Sequence, residues 1–194
     1  MATDELAEFY RSWERWAADV AESHSSYPIL LRFRSPDPYS SWLIALLAVM
    51  DSAALYHALS PGEAPLQARL CLRMGASCLQ QLARTIGFPF DPDPRPDDDI
   101  ALTREEFDEG LARLAAVGFP MERDPDDAWR HFRGWRVNYE SVAYRFAYGI
   151  DAVPAAWSGP RRLGGGTVAP LPTINRTPDD PEGSRPAGPR PRAT

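Results

Sequence analysis

Asp51 is the residue of this sequence whose chemistry most needs an explanation. It sits inside "WLIALLAVMDSAALYHAL", residues 42–59, the most apolar stretch of the chain. A carboxylate there needs a counter-charge or hydrogen-bond donors, because an unpaired charge away from water is strongly unfavourable. Four arginines are candidates. Arg32 and Arg34 flank Phe33 in the short apolar run that leads into the stretch, and Arg69 and Arg73 lie one turn apart in the next helical segment. His24 adds a titratable ring just before the run. The expected polar cluster, structural or ligand-binding, is therefore Arg32, Arg34, Asp51, Arg69, Arg73 and His24. If Asp51 pairs with a buried arginine, its replacement by alanine is expected to cost about 3–5 kcal/mol.

Other chemistries fit less well. His24, Asp51 and a serine could form a hydrolase triad, but no G-x-S-x-G elbow is present. His24, His57 and His131 are far apart and no C-x-x-C occurs, so neither a metal nor a cofactor is expected. "DPDPRPDDD", residues 91–99, alternates acids as a calcium loop does, yet it lacks the sixth-position glycine and the closing glutamate. Arg130, Arg133 and Arg136 could read a phosphate. With Asp124, Asp126, Asp127 and Glu140 around them, intrahelical ion pairs are the better reading. Cys71 and Cys78 are seven residues apart in a helical pattern, too far to bridge, and read as packing residues.

These residues have to be positioned by helices. Leu6, Tyr10, Trp13, Ala17 and Val20 form one apolar stripe, predicting a helix over 4–22 with Thr3 as its N-cap. The stretch from Trp42 is apolar nearly all round and predicts a central helix capped by Ser40 or Ser41. A third helix is expected from the capping box Ser60–Glu63 to Ile86, with Leu66, Leu70, Met74, Cys78, Leu82 and Ile86 inward and Gly87 as its stop. "TREE" predicts a capping box, Thr103 with Glu106, for a fourth helix carrying Phe107, Leu111, Leu114 and Val117. Asp124 caps a last helix, with Pro125 at its first position, that runs to Gly149. Its stripe is Trp129, Phe132, Trp135 or Arg136, Tyr139, Val142 and Phe146. The expectation is an all-α fold: a single helical domain, 1–158, of about five main helices. The Pro- and Gly-rich segment 159–194 is too poor in apolar residues to offset its ordering entropy and is expected to be a disordered tail.

The connector "SHSSYPILLRFRSPDPYSSW", residues 23–42, is expected to pack on the core. If it is extended, Ile29, Leu31 and Phe33 turn inward, and Arg32 and Arg34 meet Asp51, Asp19 or Glu22. A site for an anion or lipid phosphate at the start of the second helix is the functional counterpart of that reading.

Composition sets the class. In 194 residues 44% are hydrophobic and 25% charged, as in ordinary globular proteins. The formal net charge of -6 argues against nucleic acid as a partner. All 21 basic residues are arginine. The opening "MATDELAEFY" has acids where a secretory leader has bases, and Asp51 disfavours direct membrane insertion of 42–59, so a cytoplasmic location is expected. The many Trp and Tyr residues of the first and last helices point to a partner surface.

"WERWAADVAESHSSYPILLRFRSPDPYSSWLIALLAVMDSAALY", "ARLCLRMG", "GFPMERDPDDAWRHFRGWRVNYESVAYRFA" and "PAAWSGPR" together resemble the cytoplasmic region of actinobacterial two-transmembrane, potassium-channel-like proteins. The likeness spans about Trp13 to Arg161. It implies a non-catalytic helical module, regulatory or assembling, at the inner face of the membrane. Its partner would be a second copy or a channel-like membrane protein. Without a TVGYG filter it does not imply conduction. The alternative is a small cytosolic enzyme or small-anion sensor with a polar cleft around Arg32, Arg34 and Asp51.

Overall fold

The computed structural model describes residues 2–35, 37 and 40–168. Six α-helices make up the fold, with no strand among the described residues: α1 (Ala2–Ser26), α2 (Trp42–Leu59), α3 (Leu66–Ile86), α4 (Arg104–Ala116), α5 (Pro125–Arg136) and α6 (Glu140–Gly149). A short 3-10 helix, Pro28–Arg32, lies in the connector. The all-α expectation holds.

α2 is the hub. It packs on α1, α3, α5 and α6, and eleven of its residues are buried. Its apolar surface runs most of the way round because four helices pack on it, and the face of Ala48 and Ser52 is the exposed one. Among the described residues it is the one helix long and apolar enough to cross a membrane. α1 lies along α3, burying Tyr10, Ala17, Val20 and Ala21. α3 approaches α2 closely at Gly75, where a Cβ would stand 2.5 Å from Met50 Sδ.

Local signals placed most helix ends. Ser41 Oγ accepts from the Ile44 amide, Thr103 and Glu106 form the full capping box, and the Asp124 carboxylate accepts from the amides of Asp126 and Asp127. Gly87, at φ 73°, ends α3. Two caps differ. α1 already includes Thr3, and Ser60 closes α2 instead of opening α3, its hydroxyl donating to Glu122 Oε1 at 2.9 Å. α3 therefore starts at Leu66, after Pro65, and its buried face is Ala68, Cys71, Leu72, Gly75, Cys78, Leu79, Leu82 and Ala83. Leu66 is exposed.

The expected last helix is broken at residues 137–139 into α5 and α6. The Asn138 side chain donates to the carbonyls of Gly134 and Trp135, at 2.9 and 3.0 Å. It thereby supplies a donor where the backbone pattern tightens, with the Tyr139 amide on Arg136 O.

The segment after α6 is held to the body further than composition suggests. Asp151 accepts from Arg34 Nη1 (3.2 Å), from Arg161 Nε and Nη2 (3.1 and 3.0 Å) and from the Leu163 amide (3.0 Å). The Val168 amide reaches Pro154 O. Residues 159–168, assigned above to the tail, thus belong to the described body. The rest of that expected tail, with Pro36 and Pro38, lies outside the described residues. The arginine contacts, Arg161 first, hold the Asp151 carboxyl below its ordinary value. Asn tolerates the left-handed backbone at this position (φ 50°), so Asp151→Asn removes the charge without strain. Trypsin is expected to cut that variant at Arg161 and Arg162 several-fold faster than the parent. Equal rates would show that Asp151 does not anchor the segment.

Candidate functional site

At the centre of the helical body, a fully buried arginine joins three elements. Arg136, at the last turn of α5, is 0% exposed. Its Nη1 is ion-paired with Asp51 of α2, and its Nε donates to Glu140 Oε1 of α6 at 2.8 Å. Nη2 donates to Tyr144 Oη at 2.9 Å and to the Trp157 carbonyl at 2.6 Å. The guanidinium also lies near the rings of Phe132, Tyr144 and Trp157, with centroids 5.7–6.0 Å away. Trp157 reaches in because α4 has Gly110 beneath it, where a Cβ would stand 2.6 Å from the indole. Trp157 itself has φ 62°, a left-handed backbone that a bulky residue rarely adopts.

The carboxylates are satisfied in turn. Tyr139 Oη donates to Asp51 Oδ1 at 2.8 Å. Glu140 accepts the amides of Ala101 and Leu102, at 2.5 and 3.0 Å, and so ties the loop before α4 to α6. Two carboxylates share one guanidinium. Burial raises the Asp51 carboxyl above its ordinary value and outweighs the opposing pull of Arg136 and Tyr139. Burial likewise raises the Tyr139 phenol, and it pushes Tyr144 up to about 12.

The six residues expected to form one cluster are therefore dispersed. Asp51 is buried and ion-paired as expected, but its partner is Arg136. Arg34 goes to Asp151, 3.2 Å away. Arg69 lies over the Trp135 ring at 5.8 Å. Arg73 is exposed beside a recess shared with Trp135 and Asn138. The His24 ring stands 5.1 Å from Trp42 and bonds Ser23 at 3.0 Å, and burial lowers its pKa. Arg32 is exposed, with no hydrogen bond or ion pair among the described residues. The arginine was missed because Trp135 and Arg136 both fit the apolar stripe of α5. The signal that could have found it was Glu140, one turn on, at ion-pair spacing.

A cleft of about 510 Å³ lies between α2, α4 and the segment after α6, with Asp51, Ser52, Glu106, Glu109 and Arg113 among the residues that line it. Neither His nor Cys lines this cleft. Burial pushes both cysteine thiols up to about 12, which makes them poor nucleophiles. Among the described residues no group of three His, Cys, Asp or Glu side chains is placed to hold a metal.

The connector carries the contrasting surface. Among its described apolar residues only Leu31 is buried, at 3% exposed. Tyr27 (66%), Ile29 (55%), Leu30 (38%) and Phe33 (62%) face solvent. Ile29 and Phe33 were expected inside, on the assumption of an extended chain. The segment instead coils with a period near three, which aligns Tyr27, Leu30 and Phe33 on one row and puts Leu31 on another. The aromatic surplus of the first and last helices is mostly accounted for, since Trp13, Trp16, Trp129 and Trp135 pack against the core.

No family model matches the chain, and neither the curated proteins nor the solved structures include a significant match to it.

Proposed function

We propose that this protein is a non-catalytic helical module that acts by association. In this reading it resembles the cytoplasmic assembly part of a channel-like protein and works at the inner face of the membrane. One observation carries the reading. The charged groups of the core bind one another, while four large apolar side chains within residues 27–33 of the connector stand unpartnered in water. Exposed apolar groups gathered in one place are a docking surface before they are anything else.

The occupant is a second copy of the chain. A twofold contact presents the same patch from both sides, so the row Tyr27–Leu30–Phe33 would meet its own image. The patch also carries both signs of charge: Asp19 and Glu22 are exposed near the end of α1, and Arg32 is exposed beside the row. Across a twofold axis Arg32 faces the acids of the other copy. Sedimentation velocity at tens of micromolar is expected to show a reversible dimer. The double variant Ile29→Ser, Phe33→Ser should be monomeric with an unchanged melting midpoint, because neither side chain is buried in the fold. A strict monomer over that range, or a dimer indifferent to the double variant, overturns the reading.

A further inference from the structure

Behind the connector lies a recess of about 300 Å³. That is the lower end of the range of ligand pockets, roughly 300–1,000 Å³. Apart from Arg32, its side-chain lining is apolar: Leu31 from the 3-10 helix, Ile86 and Phe88 from the end of α3 and the turn after it, Phe146 and Ile150 from α6 and its C-cap, with polar surface between them. Gly149 leaves one side open, since a Cβ there would meet only Phe88 Cζ, 4.0 Å away. A single charged side chain lines the recess, Arg32. It forms no hydrogen bond or ion pair among the described residues, unlike Arg34, two residues on, which is bound to Asp151.

We propose that this recess binds a small amphiphilic carboxylate of the medium-chain fatty-acid class. The apolar tail would lie between Ile86, Phe88, Phe146 and Ile150, and the carboxylate on the Arg32 guanidinium. The chemistry of the lining selects this class. Five apolar side chains pack best against hydrocarbon, which the bulk of the ligand supplies. One planar guanidinium matches one planar, singly charged carboxylate in a two-point contact. A phosphate dianion would leave charge unmatched. Arg145, 5.9 Å from the Phe88 ring centroid, adds positive potential on the same side. The same guanidinium serves the dimer contact proposed above, so ligand and second copy would compete for Arg32. That coupling rests on the association reading; the binding itself does not.

Titration calorimetry with hexanoate, heptanoate and octanoate, at protein concentrations where the chain is monomeric, tests the proposal. Affinity is expected to rise about fourfold for each added methylene, the factor for burying one CH₂. Arg32→Gln should weaken octanoate by about tenfold or more, the size of a lost charge-assisted contact, and leave 1-octanol unchanged. Gly149→Leu should fill the recess and abolish binding of both, with the melting midpoint preserved. Absence of octanoate binding in the millimolar range overturns the proposal. So does octanoate binding that Gly149→Leu leaves intact. Co-sedimentation with phosphatidylglycerol vesicles, without binding of free octanoate, would assign this face to a lipid surface and overturn it as well.

Discussion

Replacing Arg136 by methionine is expected to destabilise the protein by about 3–5 kcal/mol, the cost of breaking a buried charge pair from one side. Against a typical domain stability of about 5–15 kcal/mol, that approaches global unfolding. Methionine has about the right length and keeps the contacts of the stem. The loss is therefore electrostatic. Asp51 and Glu140, both under 9% exposed in their side chains, would face each other with no cation between them. Tyr144 Oη and the Trp157 carbonyl would lose their shared donor. Arg136→Lys is expected to fall between, because one ammonium cannot serve acceptors on four sides. Urea unfolding measures the difference. The triple variant Arg136→Met, Asp51→Asn, Glu140→Gln should recover part of the loss, since removing all the charges together leaves none unpaired. A midpoint unmoved by Arg136→Met would mean the cluster contributes nothing to stability.

Asp51 acts both as a charge and as a hydrogen-bond acceptor, and two substitutions separate the roles. Asp51→Ala is expected to cost about 2–3 kcal/mol, from the unpaired donors it leaves on Tyr139 and Arg136. This is below the 3–5 kcal/mol of an isolated pair because Glu140 still balances Arg136. Asp51→Asn keeps an acceptor for both donors and should be far milder. The pH dependence distinguishes charge from hydrogen bonding. The Asp51 carboxyl is raised by burial in the folded protein. Above its ordinary value, near 3.9, the native state therefore holds a proton that the unfolded chain has released. Stability owed to Asp51 falls as pH rises through that window. Relative to the parent, Asp51→Asn should be similar at pH 4 and gain stability toward pH 7. Urea midpoints of the two proteins at both pH values test this. An Asn variant that loses ground as pH rises would show that ionised Asp51 is a net stabiliser.

The two largest effects fall on a cluster only half legible beforehand. Asp51 announced itself, because an acid in a run such as "LLAVMDSAAL" must be accounted for. Its partner did not. Arg32, Arg34, Arg69 and Arg73 are nearer in sequence, and Arg136 is eighty-five positions away, on a helix whose inward stripe accommodates either Trp135 or Arg136. Only the packing of α5 on α2 decides which of those two faces Asp51. Asp151 shows the same limit: nothing local marks it as the anchor for Arg34, Arg161 and Leu163.

By itself the sequence determined the all-α class, the central place of the helix from Trp42, a cap at Ser40 or Ser41, the caps at Thr103, Asp124 and Gly87, and the need of a buried Asp51 for polar partners. Each follows from periodicity or from a hydrogen bond spanning a few residues, and such signals are carried by neighbours in the chain. Tertiary structure alone decided the Arg136 pairing, the break at Asn138, the attachment of residues 159–168 and the outward turn of Ile29 and Phe33. Those outcomes depend on which surfaces meet after the helices pack. Of the apolar residues in the 3-10 helix and its caps, Leu31 finds a place in the core, and the geometry of a three-residue turn then carries Tyr27, Ile29, Leu30 and Phe33 into water.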